Sequence, residues 1–347
     1  MTDIVNLGYI GSKLTLSDSI IENIIKFTNE SIENKTVGDL FAGAGSMSRK
    51  FKENKCKVIA NDSELYSFYI ISAHLQGLYT ENVKTIIEDI NNILSKTKLD
   101  SKFNGLIFNN YSENANRKYF TPLNAQKIDI VRKYIQSKFD NKCIDINEYR
   151  FLIASLIVSV DKVANTASVY GAFLKKYKTS ATKDFILLPI HKNNIDYEFH
   201  HTVYNKDIMD LLDKDTYDIV YLDPPYNSRQ YSKNYHLLNY IINYDELTEL
   251  YGITGLFKDC FISDFCKKTE IERLFDDLFK NLKSKYIFLS YNNESLITKE
   301  VILKIINKYC SKYELIETDY NKFKSNKNNN EKKIKEYLFC CQKIYFL

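Results

Sequence analysis

The sequence predicts an α/β fold, an open sheet of mainly parallel strands interrupted by a long helical insertion, on three observations. Tyr217-Asp218-Ile219-Val220-Tyr221-Leu222 is an apolar, β-rich run that reads as a buried strand, and it is cut off by Asp223-Pro224-Pro225-Tyr226. Thr36-Val37-Gly38-Asp39-Leu40-Phe41-Ala42-Gly43-Ala44-Gly45-Ser46 reads as a strand running into a glycine turn and then a helix. More than a hundred residues, from about Leu78 to Tyr204, precede the return of the sheet, too many for an ordinary βα crossover.

The 347 residues allow one large domain or a core carrying an inserted smaller one. With 27% charged and 44% hydrophobic residues the composition is that of an ordinary globular protein, and a net charge of +4 permits a polyanionic partner without demanding one. Met1-Thr2-Asp3-Ile4 lacks the basic start and apolar run of a signal peptide, and Phe151 to Val160 is too short to span a bilayer, so a cytoplasmic protein with no membrane partner is expected. The seven cysteines (56, 143, 260, 266, 310, 340 and 341) form no pair of closely spaced pairs, which suggests neither zinc nor a disulfide framework.

In chain order, Gly8-Tyr9-Ile10-Gly11-Ser12-Lys13 is a glycine-bearing loop before a helical pattern from about Ser17 to Phe27. It reads either as a plain cap or as a loop that brings backbone, the Tyr9 ring and the Lys13 charge to a ligand. After the first strand, Gly43 and Gly45 let the chain pass tightly under a bound group. A dinucleotide fingerprint would want a third glycine where Ser48 stands, which disfavours a nicotinamide enzyme. Cys56 to Asn61 is the second strand, and Asp62 at its end suits either ribose hydroxyls or the cap of the helix from Glu64 to Leu78. Within the insertion come helical patterns over Val83 to Leu94 and Glu148 to Val163, and a polar, aromatic stretch from Phe108 to Phe120 that contains Arg117 and Lys118. Such a stretch suits base edges and phosphates, or any wet loop. His200-His201 reads as a strand edge rather than a metal site, since no third ligand is evident. Thr202 to Lys206 gives another strand, and Asp207 after it is either an acceptor for an amino group or a helix cap. Tyr286 to Asn292 is the fifth strand. Two more, near Tyr313 to Thr318 and Glu336 to Phe346, flank a linker from Lys322 to Lys335 holding six lysines against one Glu. Lys322 and Lys324 in that linker are candidate phosphate contacts, or simply solvated charge.

Asp223-Pro224-Pro225-Tyr226 sits at a strand's carboxyl end, where open α/β sheets place their chemistry. Paired prolines stiffen the backbone and leave carbonyls free of the ladder. A carboxylate, a rigid carbonyl and an aromatic face therefore converge, a combination suited to a planar base with an exocyclic amine. This motif resembles the catalytic motif of S-adenosylmethionine-dependent N6-adenine DNA methyltransferases. The Tyr9 to Lys13 loop, the glycine turn, the acid at Asp62, the insertion and Asp-Pro-Pro-Tyr occur in the order of that family's alpha class, and together cover nearly the whole chain.

The resemblance implies a Rossmann-like methyltransferase fold: seven mostly parallel strands, helices on both faces, a C-terminal antiparallel hairpin and an inserted target-recognition region. Residues 1–78 and 200–347 would form the catalytic domain and 79–199 the insertion. It implies S-adenosylmethionine as cofactor, held by Tyr9, Lys13, Asp39, Phe41, Gly43, Gly45, Asp62, Asp207 and Asp223. Asp223, Pro224 and Tyr226 would act on a flipped adenine, with Arg229 and Tyr231 at the pocket mouth and Arg117, Lys118, Lys322 and Lys324 on double-stranded DNA. A cognate restriction endonuclease acting on the same site without a stable complex is a further expectation, and likeness to methylases that modify CATG makes that the site to try first. The competing readings are an RNA-base or protein-amide methyltransferase, and a catalytically silent DNA-binding subunit.

Overall fold

The computed structural model of the chain describes residues 4–193, 199–258, 260–320 and 334–344. Its elements are α1 (Ser17–Thr28), β1 (Thr36–Asp39), α2 (Ser46–Glu53), β2 (Lys57–Asn61) and α3 (Leu65–Leu75), followed by α4 (Glu81–Lys96), α5 (Leu106–Asn110), α6 (Pro122–Asp140) and α7 (Ile146–Val163). The sheet resumes with β3 (Thr202–Tyr204) and β4 (Tyr217–Leu222), then α8 (Tyr231–Asn234), α9 (His236–Asn243) and a small hairpin of β5 (Leu250–Tyr251) and β6 (Leu256–Phe257). The last elements are α10 (Ile271–Asn281), β7 (Ser284–Asn292), α11 (Lys299–Tyr309), β8 (Cys310–Tyr320) and β9 (Ile334–Lys343).

Seven strands form one sheet in the order β3-β2-β1-β4-β7-β9-β8. The first five are mutually parallel, and β9 runs antiparallel to both β7 and β8. The expected seven-stranded, mostly parallel sheet with a C-terminal hairpin is what the chain forms. Strand β8 is longer than the apolar pattern suggested, because it is an edge strand whose outer residues are polar and leave no periodic signal, while β9 begins two residues before the expected Glu336. Central β4 has parallel neighbours on each side and buries five of its six residues, which accounts for its unbroken apolar run.

One face of the sheet is covered by α1 and α2, with Ile20, Ile24, Met47 and Phe51 against Val37, Val58 and Phe288. The other is covered by α10 and α11, whose Leu274, Leu278, Ile302 and Ile306 meet Leu222, Ile287 and Leu289. The helices of residues 79–199 build a third core that runs into α3 and α9, joining Tyr66, Ile70 and Leu237 to Ile128, Leu152 and Leu156. Helix α3 is the bridge, since its Ile71 and Leu75 belong to the sheet core while Ile70 and Ala73 belong to the third core. Helix α7 is apolar on every side, with Phe151 to Leu156 buried, and it opens on a capping box in which Asp145 accepts from the Asn147 and Glu148 amides. Among the described residues no helix is long and apolar enough to cross a membrane.

The stretch after α7 is a knot of hydrogen bonds. Buried Asn165 donates through Nδ2 to the Lys118 and Leu174 carbonyls and accepts from the Lys178 amide. The Tyr170 hydroxyl donates to Asp161, whose other oxygen accepts the Gly8 amide at 2.9 Å. The segment therefore fixes the start of the N-terminal loop from 153 residues away. His201 lies at a strand edge, where its Nδ1 accepts the Val58 amide at 3.1 Å and burial pushes its pKa down to about 4. Among the described residues no group of His, Cys, Asp and Glu is arranged to hold a metal.

Candidate active site

The strand order reverses between β1 and β4, which leave the sheet side by side with Asp39 opposite Tyr221. A cleft opens there at the strands' carboxyl ends, as the topology requires. Tyr9, Lys13, Asp39, Phe41, Gly43, Asp62, Asp207, Asp223, Pro224, Tyr226 and Tyr231 all line it. Gly45 stands just behind, at the N-cap of α2.

One end of the cleft is built from backbone. Gly43 and Gly45 have φ of 52° and 74°, the left-handed region that favours glycine. The Gly43 amide donates to Asp62 Oδ2 at 2.7 Å, and the Glu64 amide to Oδ1 at 2.9 Å, so Asp62 both holds the glycine turn and leads into α3. A Cβ on Gly43 would fall 2.8 Å from the Tyr9 ring. That ring stacks on Tyr231 and Tyr235 at centroid distances of 5.5 and 5.3 Å. Asp39 is 1% exposed; one carboxylate oxygen accepts from Ser48 Oγ at 2.5 Å and the other, Oδ1, has no partner. Burial pushes the Asp39 carboxyl up to about 7 and that of Asp62 up to about 6. Asp207 caps the short helix that follows it, accepting the Met209 amide at 2.9 Å, while still facing the cleft. Phe41 meets Phe265 edge to face at 4.9 Å.

The other end is built from side chains. The Tyr226 hydroxyl donates to Asp223 and accepts from the Lys13 ammonium. Lys13, 5% exposed, lies 3.1 Å from Asp223 Oδ1 and 4.7 Å from the centre of the Tyr226 ring. Burial raises the Asp223 carboxyl above its ordinary range, against the pull of Lys13 and Tyr226. Tyr226 stands edge-on to Tyr291 at 5.4 Å, and its carbonyl accepts the Leu296 amide at 3.1 Å.

The expected DNA contacts separate. Arg229 is exposed beside the cleft. Tyr231 is half-buried, seated on Tyr9 with its hydroxyl 3.5 Å from the Ile10 carbonyl, so it braces the N-terminal loop instead of standing free at the mouth. The Arg117 guanidinium is spent on the backbone carbonyls of Asn110, at a helix end, and of Gly252 and Ile253, in the β5–β6 turn, where helix ends and turns leave carbonyl lone pairs for a side-chain donor. Lys118 is half-buried, 3.6 Å from Glu113 and above the Tyr177 ring. Lys322 and Lys324 lie outside the described residues. Sequence reasoning missed Phe261 and Phe265 on the cleft wall, Glu64 at its floor and Glu336 near Lys13, none of which has a local motif.

A reversal-point cleft between a glycine turn, acids closing two adjacent parallel strands and Asp-Pro-Pro-Tyr defines an S-adenosylmethionine-dependent methyltransferase. The residues fit that donor. The unpartnered, buried Asp39 Oδ1 suits an N–H donor such as its ammonium, Asp62 suits hydroxyls, and the space above Gly43 is one that a Cβ would fill. Within that class, the chain belongs to the D12 class N6 adenine-specific DNA methyltransferases, whose family model matches residues 9–305. It is 40% identical to the type II methyltransferase M.NlaIII of Neisseria lactamica, over 98% of this chain and 100% of that one. It is 37% identical to the type II methyltransferase M.CviAII of Paramecium bursaria Chlorella virus 1, over 96% and 97% of the two chains. It is 32% identical to the type II methyltransferase M.FokI of Planomicrobium okeanokoites, covering 97% of this chain and 53% of that one. The reaction is methyl transfer from S-adenosylmethionine to N6 of adenine in DNA, as the sequence led one to expect.

Proposed function

We propose that Asp223, Pro224 and Tyr226 act directly on an adenine flipped out of the duplex. The observation that carries this is the placement of Asp223 at the end of β4, buried, in one cleft with the glycine turn and with Lys13 and Tyr226 as its partners. S-adenosylmethionine, when bound, supplies an electrophilic methyl group on a sulfonium. The adenine amine is a poor nucleophile because its lone pair is delocalised into the ring. Its two N–H bonds donate to the Asp223 carboxylate and the Pro224 carbonyl, which favours a tetrahedral nitrogen and frees the lone pair. Tyr226 stacks on the ring, offsetting a few kcal/mol of unstacking. The nitrogen becomes acidic only as it gains the methyl, so Asp223, whose proton affinity burial raises, is a sufficient acceptor for the proton released. Tyr9, Lys13, Asp39, Phe41, Gly43, Gly45, Asp62 and Asp207 hold the donor.

In this reading residues 79–199 recognise the target while 1–78 and 200–347 carry the chemistry. Arg229, Lys118 and the lysines at 322 and 324 meet phosphates. The enzyme is cytoplasmic and modifies the sites of a restriction endonuclease with which it forms no stable complex, and CATG is the first site to test.

The test is to incubate the protein with methyl-labelled donor and plasmid DNA, total RNA and protein acceptors, then digest labelled DNA to nucleosides. Label in N6-methyladenine, sequenced to a fixed site, is the expected result. Label confined to RNA or protein overturns the DNA reading.

A further inference from the structure

We propose that Glu336 is a positioning residue that receives the Lys13 ammonium and so frees Asp223 for the adenine amine. The inference rests on the reading of Asp223 as the acceptor of that amine.

Strand β9 runs opposite to β7, and this reversal brings its beginning to the edge where the parallel strands end. Glu336 is therefore paired with Asn292, at the carboxyl end of β7, beside the cleft. Its side chain is 15% exposed, and its Oε2 is buried without a hydrogen-bond partner. That oxygen lies 4.0 Å from Lys13 Nζ, about an ångström beyond hydrogen-bonding distance. The same ammonium is paired with Asp223, whose Oδ1 accepts from both Lys13 and the Tyr226 hydroxyl. A carboxylate oxygen has two lone pairs, so Oδ1 is fully engaged and a further donor has to go to Oδ2.

An amine that donates to Oδ2 meets a carboxylate whose charge is already shared with Lys13 and Tyr226 on Oδ1, and Asp223 becomes the stronger acceptor once Lys13 parts from it. Lys13 is almost wholly buried and cannot leave for water, and a buried ammonium parted from its carboxylate is strongly disfavoured. Glu336 offers the one short exchange among the described residues: a shift of the ammonium by about an ångström from Asp223 keeps the charge paired and gives the unpartnered oxygen its donor. The ammonium has three hydrogens, so it can keep its bond to Tyr226 throughout.

Glu336→Gln keeps the shape and removes the charge. It should lower the single-turnover methylation rate roughly ten- to hundredfold, with donor Kd and Tm unchanged. In a Lys13→Met background, where no ammonium has to be moved, the same change should cost less than about threefold. Parental turnover in Glu336→Gln, or an equal loss with and without Lys13, overturns the proposal. Asp223→Ala run alongside separates the two readings. Loss of methylation there with a neutral Glu336→Gln removes only the role of Glu336, whereas retained methylation in Asp223→Ala removes the role of Asp223 and this inference with it.

Discussion

The two ends of the cleft are held in opposite ways. Where the donor binds, backbone amides of Gly43 and Glu64 fix the Asp62 carboxylate, and a glycine turn leaves its space open. At the end proposed for the amine, Lys13 and Tyr226 share one oxygen of Asp223, and the charge of that carboxylate is partly spent until they part. The first end is ready before its ligand comes. The second rests in an arrangement that holds its acceptor back.

The sharpest way to break this comparison is Asp223→Ala. Turnover should fall roughly a thousandfold or more, while donor affinity, followed by calorimetric titration, moves only a few-fold. A comparable loss in donor affinity would mean that the two ends are not independent. Gly43→Ala tests the other end. A side chain at φ 52°, with its Cβ 2.8 Å from the Tyr9 ring, should cost about 1–2 kcal/mol in stability and weaken donor binding, while turnover at saturating donor is largely kept. Tyr226→Phe keeps the stacking ring but removes the hydroxyl's bonds to Lys13 and Asp223. Its single-turnover rate on saturating DNA should stay within about tenfold of the parent, the scale of one hydrogen bond to a charged group.

The smallest expected effect is a pH dependence at Asp39. The folded protein keeps that carboxyl protonated up to about pH 7, against an ordinary value of 3.8. Over that window the folded state holds a proton the unfolded chain has released, so the parent loses stability as pH rises. Asp39→Asn does not titrate. Its Tm relative to the parent should climb from about pH 4 to about pH 7 and then level off. A flat difference would show that burial does not set the Asp39 proton affinity.

The ready end of the cleft was largely legible in the sequence, because a strand, its terminal acid and the following turn are contiguous there: Asp39 to Gly45 and Asn61 to Asp62 each read as one local unit, and at the other end Leu222 to Tyr226 does the same. The resting arrangement was not. Lys13 was visible as a charge on a loop, but its ion pair with Asp223 joins residues 210 positions apart, and the register that brings Glu336 to it depends on a strand pairing with no local signal. Arg117 makes the same point on the insertion. Its place in a polar, aromatic stretch said nothing of the Gly252 and Ile253 carbonyls, 135 and 136 residues away, that occupy it. The family resemblance put Tyr231 at the mouth of the cleft, yet its ring is seated on Tyr9, near the start of the chain.

The reversed strand also sets an order on the ribosome. Strand β8 pairs with β9 alone, and β9 alone covers the outer edge of β7, so every strand of the sheet but one leaves the tunnel before this half can close. Until residues 334–343 emerge, two edges stay open to stray pairing and the pocket is missing Glu336. A nascent chain thus carries its glycine turn and Asp-Pro-Pro-Tyr for the length of roughly a hundred further residues before the strand that brings Glu336 to Lys13 is made.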